Sequence, residues 1–310
     1  MFHQINDKKD PFYPALPINT FELLCKFLSK NFNVIHFSDI NNHFNKKANL
    51  PSAIITFDDG HYDVLENAYP ILKKYDLKFN INIVTESITT GLPNNNVKIY
   101  DVLNSTDKKE YINTNTVLLT QPIRIPINKK HPEITELKFR NIFHQVTAQK
   151  RDLLTKDITN QLSTSSTKFS KMLSKEDVIF LKKNGGEVGS HTCSHSILSD
   201  IEDSQVEFEL KHSKKILEEL CSNKIDIIAF PQGKHKKTTI QKSFEAGYKY
   251  ILLTNDNKNF EINFKNGIYE RIGLYHKSFD ENLAKIFGFH SSVNNLKVKV
   301  KKCLSNMSTR

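Results

Sequence analysis

Cysteine is scarce and scattered. Cys25, Cys193, Cys221 and Cys303 make no CxxC pair, which argues against a cysteine zinc knot or a disulfide framework. Long apolar runs are missing too: no stretch approaches the roughly 18 residues of a membrane-spanning helix. There is no internal repeat and no heptad run. The start, Met1-Phe2-His3-Gln4-Ile5-Asn6-Asp7, lacks the basic region and apolar core of a secretory signal, so a cytoplasmic chain is expected. What remains is an ordinary globular composition of 310 residues, 38% hydrophobic and 25% charged. That length suits one large domain or two small ones, and Phe and Ile are plentiful enough to build a core. Lys and Arg number 44 against 34 Asp and Glu, a net of +10, but the excess is mostly spread out. A nucleic-acid binder would gather it in a patch or stripe, so no nucleic-acid partner is expected. The one cluster, Lys297, Lys299, Lys301, Lys302 and Arg310, falls in a tail at 291–310. It reads as a solvated tail, with weak peripheral attraction to anionic lipid as the lesser alternative.

Apolar spacing predicts a helix over Phe21–Ser29, a strand over Asn33–Phe37 and an apolar run over Ala53–Phe57. Val64–Tyr75 follows a helical period, with Pro70 implying a kink or a late start. Phe79, Ile81 and Ile83 alternate with Asn80 and Asn82 at strand spacing. From Glu86 to about Lys171 the chain is polar and weakly periodic, too long for a loop. It reads as an insertion, a candidate lid, with helices around Tyr100–Leu103 and Thr135–Leu154. Order resumes at Ser174-Lys175-Glu176-Asp177, which fits a reciprocally capped helix start. Strands at Glu187–Ser190, Ile225–Phe230, Tyr250–Leu253 and Ile268–Leu274 then alternate with helices. Such alternation implies a parallel α/β sheet or barrel with helices outside, its functional side chains at the strand ends.

Three strand ends carry the chemistry. Thr56-Phe57-Asp58-Asp59-Gly60 sets two carboxylates side by side; one suits a metal and the other the substrate, against the plain alternative of a polar turn. Ser190-His191-Thr192-Cys193-Ser194-His195 places two histidines four apart, able to converge on one divalent ion. The plain alternative is two unrelated surface histidines among 12. Ala229-Phe230-Pro231-Gln232-Gly233 forms a turn whose N–H groups can face a cleft, or a turn and nothing more.

Taken together and in this order, the three segments resemble the polysaccharide deacetylases of the NodB-homology type, carbohydrate esterase family four. The first motif is matched in full by Thr56 to Gly60, the second by His191 to His195, and the third in part by Phe230 to Gly233. Softer likenesses are His3-Gln4-Ile5, Tyr69 to Tyr75, Ser213-Lys214 and Ala246-Gly247-Tyr248. The resemblance implies a distorted seven-stranded (β/α) barrel with a metal in its mouth, over a single catalytic domain of residues 1–310 interrupted at about 86–171. It implies Asp59, His191 and His195 as metal ligands and Asp58 as general base. It implies the Gln232 N–H as an oxyanion donor. Zinc is the expected ion by ligand type, with cobalt or nickel as alternatives.

Departures from the family pattern shape the remaining expectations. Ala229 stands where the third motif has Arg, Gln232 replaces an aromatic residue, and the fourth motif's Trp is absent from a chain with no Trp at all. Arg271 is the expected substitute, pairing with Asp58. Leu274-Tyr275-His276 fits the spacing of the fifth motif, making His276 the candidate acid, with His235 behind it. The implied activity is hydrolysis of a non-peptide carbon–nitrogen bond, removing an acyl group, acetyl first, from an amino sugar. The carbohydrate substrate is a glycan, a lipid-linked sugar or a nucleotide sugar used in surface polysaccharide synthesis. The alternatives are a deformylase, an O-acetyl esterase, or an inactive carbohydrate-binding barrel.

Overall fold

The computed structural model describes residues 1–41, 49–115, 118–144, 146–254 and 266–288. Ten strands occur among them: β1 Asn33–Val34, β2 Ser52–Ala53, β3 Thr56–Phe57, β4 Phe79–Ile83, β5 Glu110–Asn113, β6 Ile123–Pro126, β7 Gly186–Ser190, β8 Ile227–Ala229, β9 Tyr250–Thr254 and β10 Ile268–Arg271. Six of them form one all-parallel sheet in the order β10-β9-β8-β7-β4-β3. Parallel neighbours need crossovers. The helices Tyr69–Lys74, Lys175–Lys183, Asp203–Cys221 and Lys237–Glu245 lie in the crossover segments.

The seventh position of the expected barrel is filled by the first two residues. Phe2 bridges Phe57 in parallel, donating its N–H to Thr56 O at 2.8 Å and accepting from Asp58 N–H at 3.0 Å. On its other side Met1 donates to Ile272 O at 2.8 Å and accepts from Leu274 N–H at 3.0 Å. The sheet is therefore curled, and a short extended segment joins its edges. This closure brings the end of β10 next to the end of β3.

Strand β4 is buried at all five positions, as a strand covered on both faces must be. Its apolar residues Phe79, Ile81 and Ile83 join the main core with Leu24, Phe57, Leu181, Leu217 and Phe230. Its asparagines occupy the other face: Asn80 Nδ2 donates to Glu187 O at 3.1 Å and Asn82 Nδ2 to Asp58 Oδ1 at 2.8 Å. The alternation is thus that of a strand with an oily outside and a polar barrel interior.

Two helix starts follow their sequence signals. Ser174 and Asp177 cap each other reciprocally, at 3.1 and 2.9 Å. The Val64–Tyr75 segment opens as a wide π turn over Val64–Ala68, and the α-helix begins only at Tyr69. Pro70, lacking an N–H, sits in that first α turn, where no donor is required.

The insertion has more structure than its composition suggests. Helices Asn95–Ser105, Pro132–His144 and Ala148–Leu162 accompany an antiparallel β5–β6 hairpin that the polar sequence concealed. The helix expected over Thr135–Leu154 is two helices, broken ahead of Thr147. These elements share a separate core of Val102, Tyr111, Ile125, Phe139, Leu154 and Ile158, which Phe12 of the N-terminal segment completes. Among the described residues no helix is long and apolar enough to cross a membrane. The basic tail lies outside the described residues.

Candidate active site

Three strand ends converge at one mouth of the barrel. After β3 the chain leaves extended geometry at once: Asp59 has φ of +70° and Gly60 of +77°. The left-handed turn separates the two carboxylates, sending Asp58 and Asp59 to different partners. Left-handed backbone is costly for side chains with a Cβ, roughly 1–2 kcal/mol each. Asp59, His195, Gln232 and Tyr13 all adopt it, and all line the same cavity. Such local strain gathers where the surrounding fold enforces a functional geometry.

Asp59 meets two histidines. Its Oδ1 lies 3.2 Å from His195 Nε2 and 3.5 Å from His191 Nε2, and one ligand atom from each residue falls within 4.8 Å of the others. His191 follows β7, its N–H held by Ile83 O at 2.8 Å. Its Nδ1 lies 2.8 Å from Ala229 O, so Nδ1 carries the proton and Nε2 presents its lone pair to the cluster. Burial pushes His191 down to about 4, leaving it in the neutral, ligating form. Burial works against ionisation of Asp59, but His195 and His61 outweigh it and hold the carboxyl well below the usual range. One carboxylate and two imidazoles on one side of an open cavity suit zinc and its neighbours, so the residues fit a catalytic divalent ion.

Asp58 is a different kind of carboxylate. Arg271, the last residue of β10, donates to both of its oxygens at 2.7 Å. Asn82 adds a third donor, at 2.8 Å from Oδ1. Burial alone would raise Asp58; Arg271 prevails, with help from His191, and keeps it ionised far below the usual carboxylate range.

Four groups beyond the motifs complete the site. Tyr13 donates to Asp59 Oδ2 at 3.2 Å, and its ring stacks on Tyr100 of the insertion at 5.2 Å. His61 Nε2 stands 3.6 Å from the same oxygen. Asn94 works in two directions: its Oδ1 caps the helix Asn95–Ser105 through Val97 N–H at 3.2 Å, and its Nδ2 reaches Asp59 Oδ1 at 3.3 Å. Asn82 is the fourth. His61 is adjacent to Asp-Asp-Gly and was available as a signal; Asn82, Tyr13 and Asn94 become neighbours of the aspartates only through long-range folding.

The cavity in front of these groups holds about 650 Å³. The barrel supplies the aspartates and histidines, the N-terminal segment adds His3 and Tyr13, and the insertion adds Tyr100, Arg140 and Phe143 as a wall. Gln232 lines the mouth with φ of +55°. His276 does not reach the cavity. Its Nδ1 lies 3.5 Å from Glu281 and its backbone is tied to Asn282, while Leu274 and Tyr275 line the cavity instead. The helix Phe279–Ile286 draws the ring outward in this way. His235 is exposed, its Nδ1 2.9 Å from Gly233 O.

Three comparisons with known proteins agree with one another. The Polysaccharide deacetylase family matches residues 128–251, a span that contains His191, His195 and Gln232 but not the aspartates. YxkH of Bacillus subtilis (strain 168), named as a polysaccharide deacetylase, is 21% identical over 209 residues, 67% of this chain. The match takes in 47% of that protein, so the chain spans about half the length of the curated relative. The Streptococcus pyogenes deacetylase PplD, solved in complex with acetate, superposes with a TM-score of 0.60 at 18% identity, covering 92% of this chain and 95% of that one. A polysaccharide deacetylase from Bacillus cereus gives 0.56 at 17%, covering 92% and 67%. The chain has the polysaccharide deacetylase fold, and its resemblance to that family holds in sequence and in structure.

Proposed function

We propose that this protein is a metal-dependent hydrolase that removes an N-acyl group, acetyl in the first instance, from an amino sugar of a carbohydrate substrate. The observation that carries the reading is the pairing, in one cavity, of the Asp59–His191–His195 cluster with a separately ionised Asp58.

Asp59, His191 and His195 would hold the ion. When bound, a divalent cation supplies Lewis acidity to the amide carbonyl and acidifies the attacking water. Asp58 is the proton acceptor. Its Oδ1 takes two donors and its Oδ2 takes one, so Oδ2 keeps the lone pair for the water's proton. An aspartate held this far down is a weak base, so Asp58 would rely on the bound ion to acidify the water whose proton it accepts. Arg271 fills the role of the family's missing arginine, holding Asp58 in place and charged. The Gln232 N–H, in its strained turn, is the proposed donor to the oxyanion. The leaving amine needs a proton, because an unprotonated amine leaves poorly. His3 lines the cavity and His276 does not, which favours His3 as the donor even though burial pushes its pKa down.

The test is release of acetate from N-acetylated amino-sugar substrates by zinc-, cobalt- and nickel-loaded protein, with Asp58→Asn alongside. Acetate released by wild type and lost in the variant supports the reading. Formate from N-formyl sugars, or acetate only from O-acetyl esters, would move the chain to the neighbouring chemistries.

A further inference from the structure

The turn that carries His195 does not hold its shape by local preference. Thr192 and His195 both have left-handed backbone, with φ of +68° and +61°. His191 is fixed through its ring, whose Nδ1 donates to Ala229 O. The ring of His195 has no such anchor among the described residues: Nε2 faces Asp59, and no carbonyl or carboxylate takes Nδ1. A histidine that binds a metal ordinarily gives its second ring nitrogen to such a partner. The place of His195 is therefore left to the backbone that carries it.

Glu209, on the helix Asp203–Cys221, grips that backbone. Its side chain is buried, and its charge is met by N–H groups rather than by a Lys or Arg. Oε2 accepts from the Cys193 N–H at 2.7 Å and from the Ser194 N–H at 3.0 Å. Oε1 accepts from the Ser194 hydroxyl, which also lies 2.8 Å from Ser196 Oγ. Successive N–H groups beside a left-handed residue form a concavity for an anion; here the anion is the protein's own. The carbonyls of Thr192 and Cys193 accept from the N–H groups of Thr85 and Glu86 at 3.3 and 2.9 Å, so the turn is clamped between two helices. Without Glu209, the two N–H groups immediately ahead of His195 lose their acceptor.

We infer that Glu209 is a positioning residue for the metal centre: by accepting from the backbone of Cys193 and Ser194, it holds His195 where Nε2 joins Asp59 and His191. The role depends on reach and acceptor geometry rather than on charge. A Gln in its place keeps the contacts, because its Oε1 can accept both N–H groups and its Nε2 can donate to the Ser194 hydroxyl oxygen. The inference rests on the reading of Asp59, His191 and His195 as a metal centre.

The experiment measures zinc affinity by competition with a chromophoric chelator, alongside the melting temperature of each protein. The proteins are wild type, Glu209→Gln, Glu209→Leu and Leu217→Ala, the last a core truncation on the same helix. Glu209→Leu is expected to bind zinc about 10–100-fold more weakly, the usual cost of losing an outer-shell partner, while Glu209→Gln keeps the wild-type affinity. Leu217→Ala should lower the melting temperature and leave the affinity unchanged. If Glu209→Leu does not fold, Glu209→Asp, which keeps the charge but not the reach, takes its place with the same expected loss. Wild-type affinity in Glu209→Leu, an equal loss in Glu209→Gln, or a matching loss in Leu217→Ala would overturn the role. Wild type that binds no zinc would remove the metal centre itself, and the role of Glu209 with it; zinc bound equally by all four removes only the role.

Discussion

Arg271 donates to both carboxylate oxygens of Asp58 at 2.7 Å, although 213 positions separate them in sequence. The contact exists because Met1 and Phe2 join β3 to the residues after β10. Replacing Arg271 with Met removes the largest influence that opposes burial at Asp58, so the carboxyl pKa rises. The acid limb of kcat/KM is expected to move toward neutral pH, and a limb that stays in place would contradict the pairing's role.

The same pair makes a statement about stability. A carboxyl depressed in the folded state contributes stability at pH values above its unfolded value, 3.8, and loses it as pH falls through the folded value. Wild type is therefore expected to keep the contribution of Asp58 at neutral pH and surrender it only in strong acid. Removing one partner of a buried pair costs about 3–5 kcal/mol, so denaturant unfolding of Arg271→Met at pH 7 should show a loss of that order. A loss below about 1 kcal/mol, within the range of exposed pairs, would show that the pair does not stabilise the fold.

Asn94 ties the insertion to the candidate metal ligand. Ser is as good a helix cap as Asn but too short to reach Asp59. Asn94→Ser is therefore expected to keep its melting temperature while divalent-ion affinity falls about 10–100-fold, the usual cost of losing an outer-shell partner. Competition against a chromophoric chelator reads the affinity. Unchanged affinity would make Asn94 a cap and nothing else.

Gly189 is a glycine for steric reasons. A Cβ there would stand 2.3 Å from Asn82 Oδ1 and 2.9 Å from Ile227 Cγ2. Gly189→Ala is expected to displace Asn82 from Asp58, costing about 1–3 kcal/mol and most of the turnover. Adding Asn82→Ala should recover part of the stability without restoring the activity. Recovery of both would mean that Asn82 does not position Asp58.

His276 and His3 exchange expectations. His276→Ala should retain turnover across the pH range, whereas His3→Ala should lower kcat by about a hundredfold, the scale of a lost proton donor. The reverse result would restore the spacing-based assignment to His276.

The contrast between these two histidines shows where the sequence is legible. The motifs at Asp58-Asp59 and His191–His195 are local, and each strand end could be read from a short apolar run followed by a turn. Arg271 was reachable as well, because a family arginine was missing at Ala229 and a cation was needed. His276 matched a spacing, but spacing carries no information about the helix Phe279–Ile286 that turns it toward Glu281. Asn82 showed only as the polar half of a strand's alternation, because periodicity cannot distinguish a polar barrel interior from water. The β5–β6 hairpin was hidden for a related reason: its core residues Tyr111 and Ile125 are few and are covered by the insertion's helices.

The most direct measurement is divalent-metal content by elemental mass spectrometry on purified wild type and His195→Ala, each reconstituted and desalted in parallel. The account predicts about one transition-metal ion per wild-type chain, lost in the variant while its fold persists by circular dichroism. Wild type that retains no ion after reconstitution, or a variant that retains as much as wild type, would contradict the Asp59–His191–His195 centre on which the proposed chemistry depends.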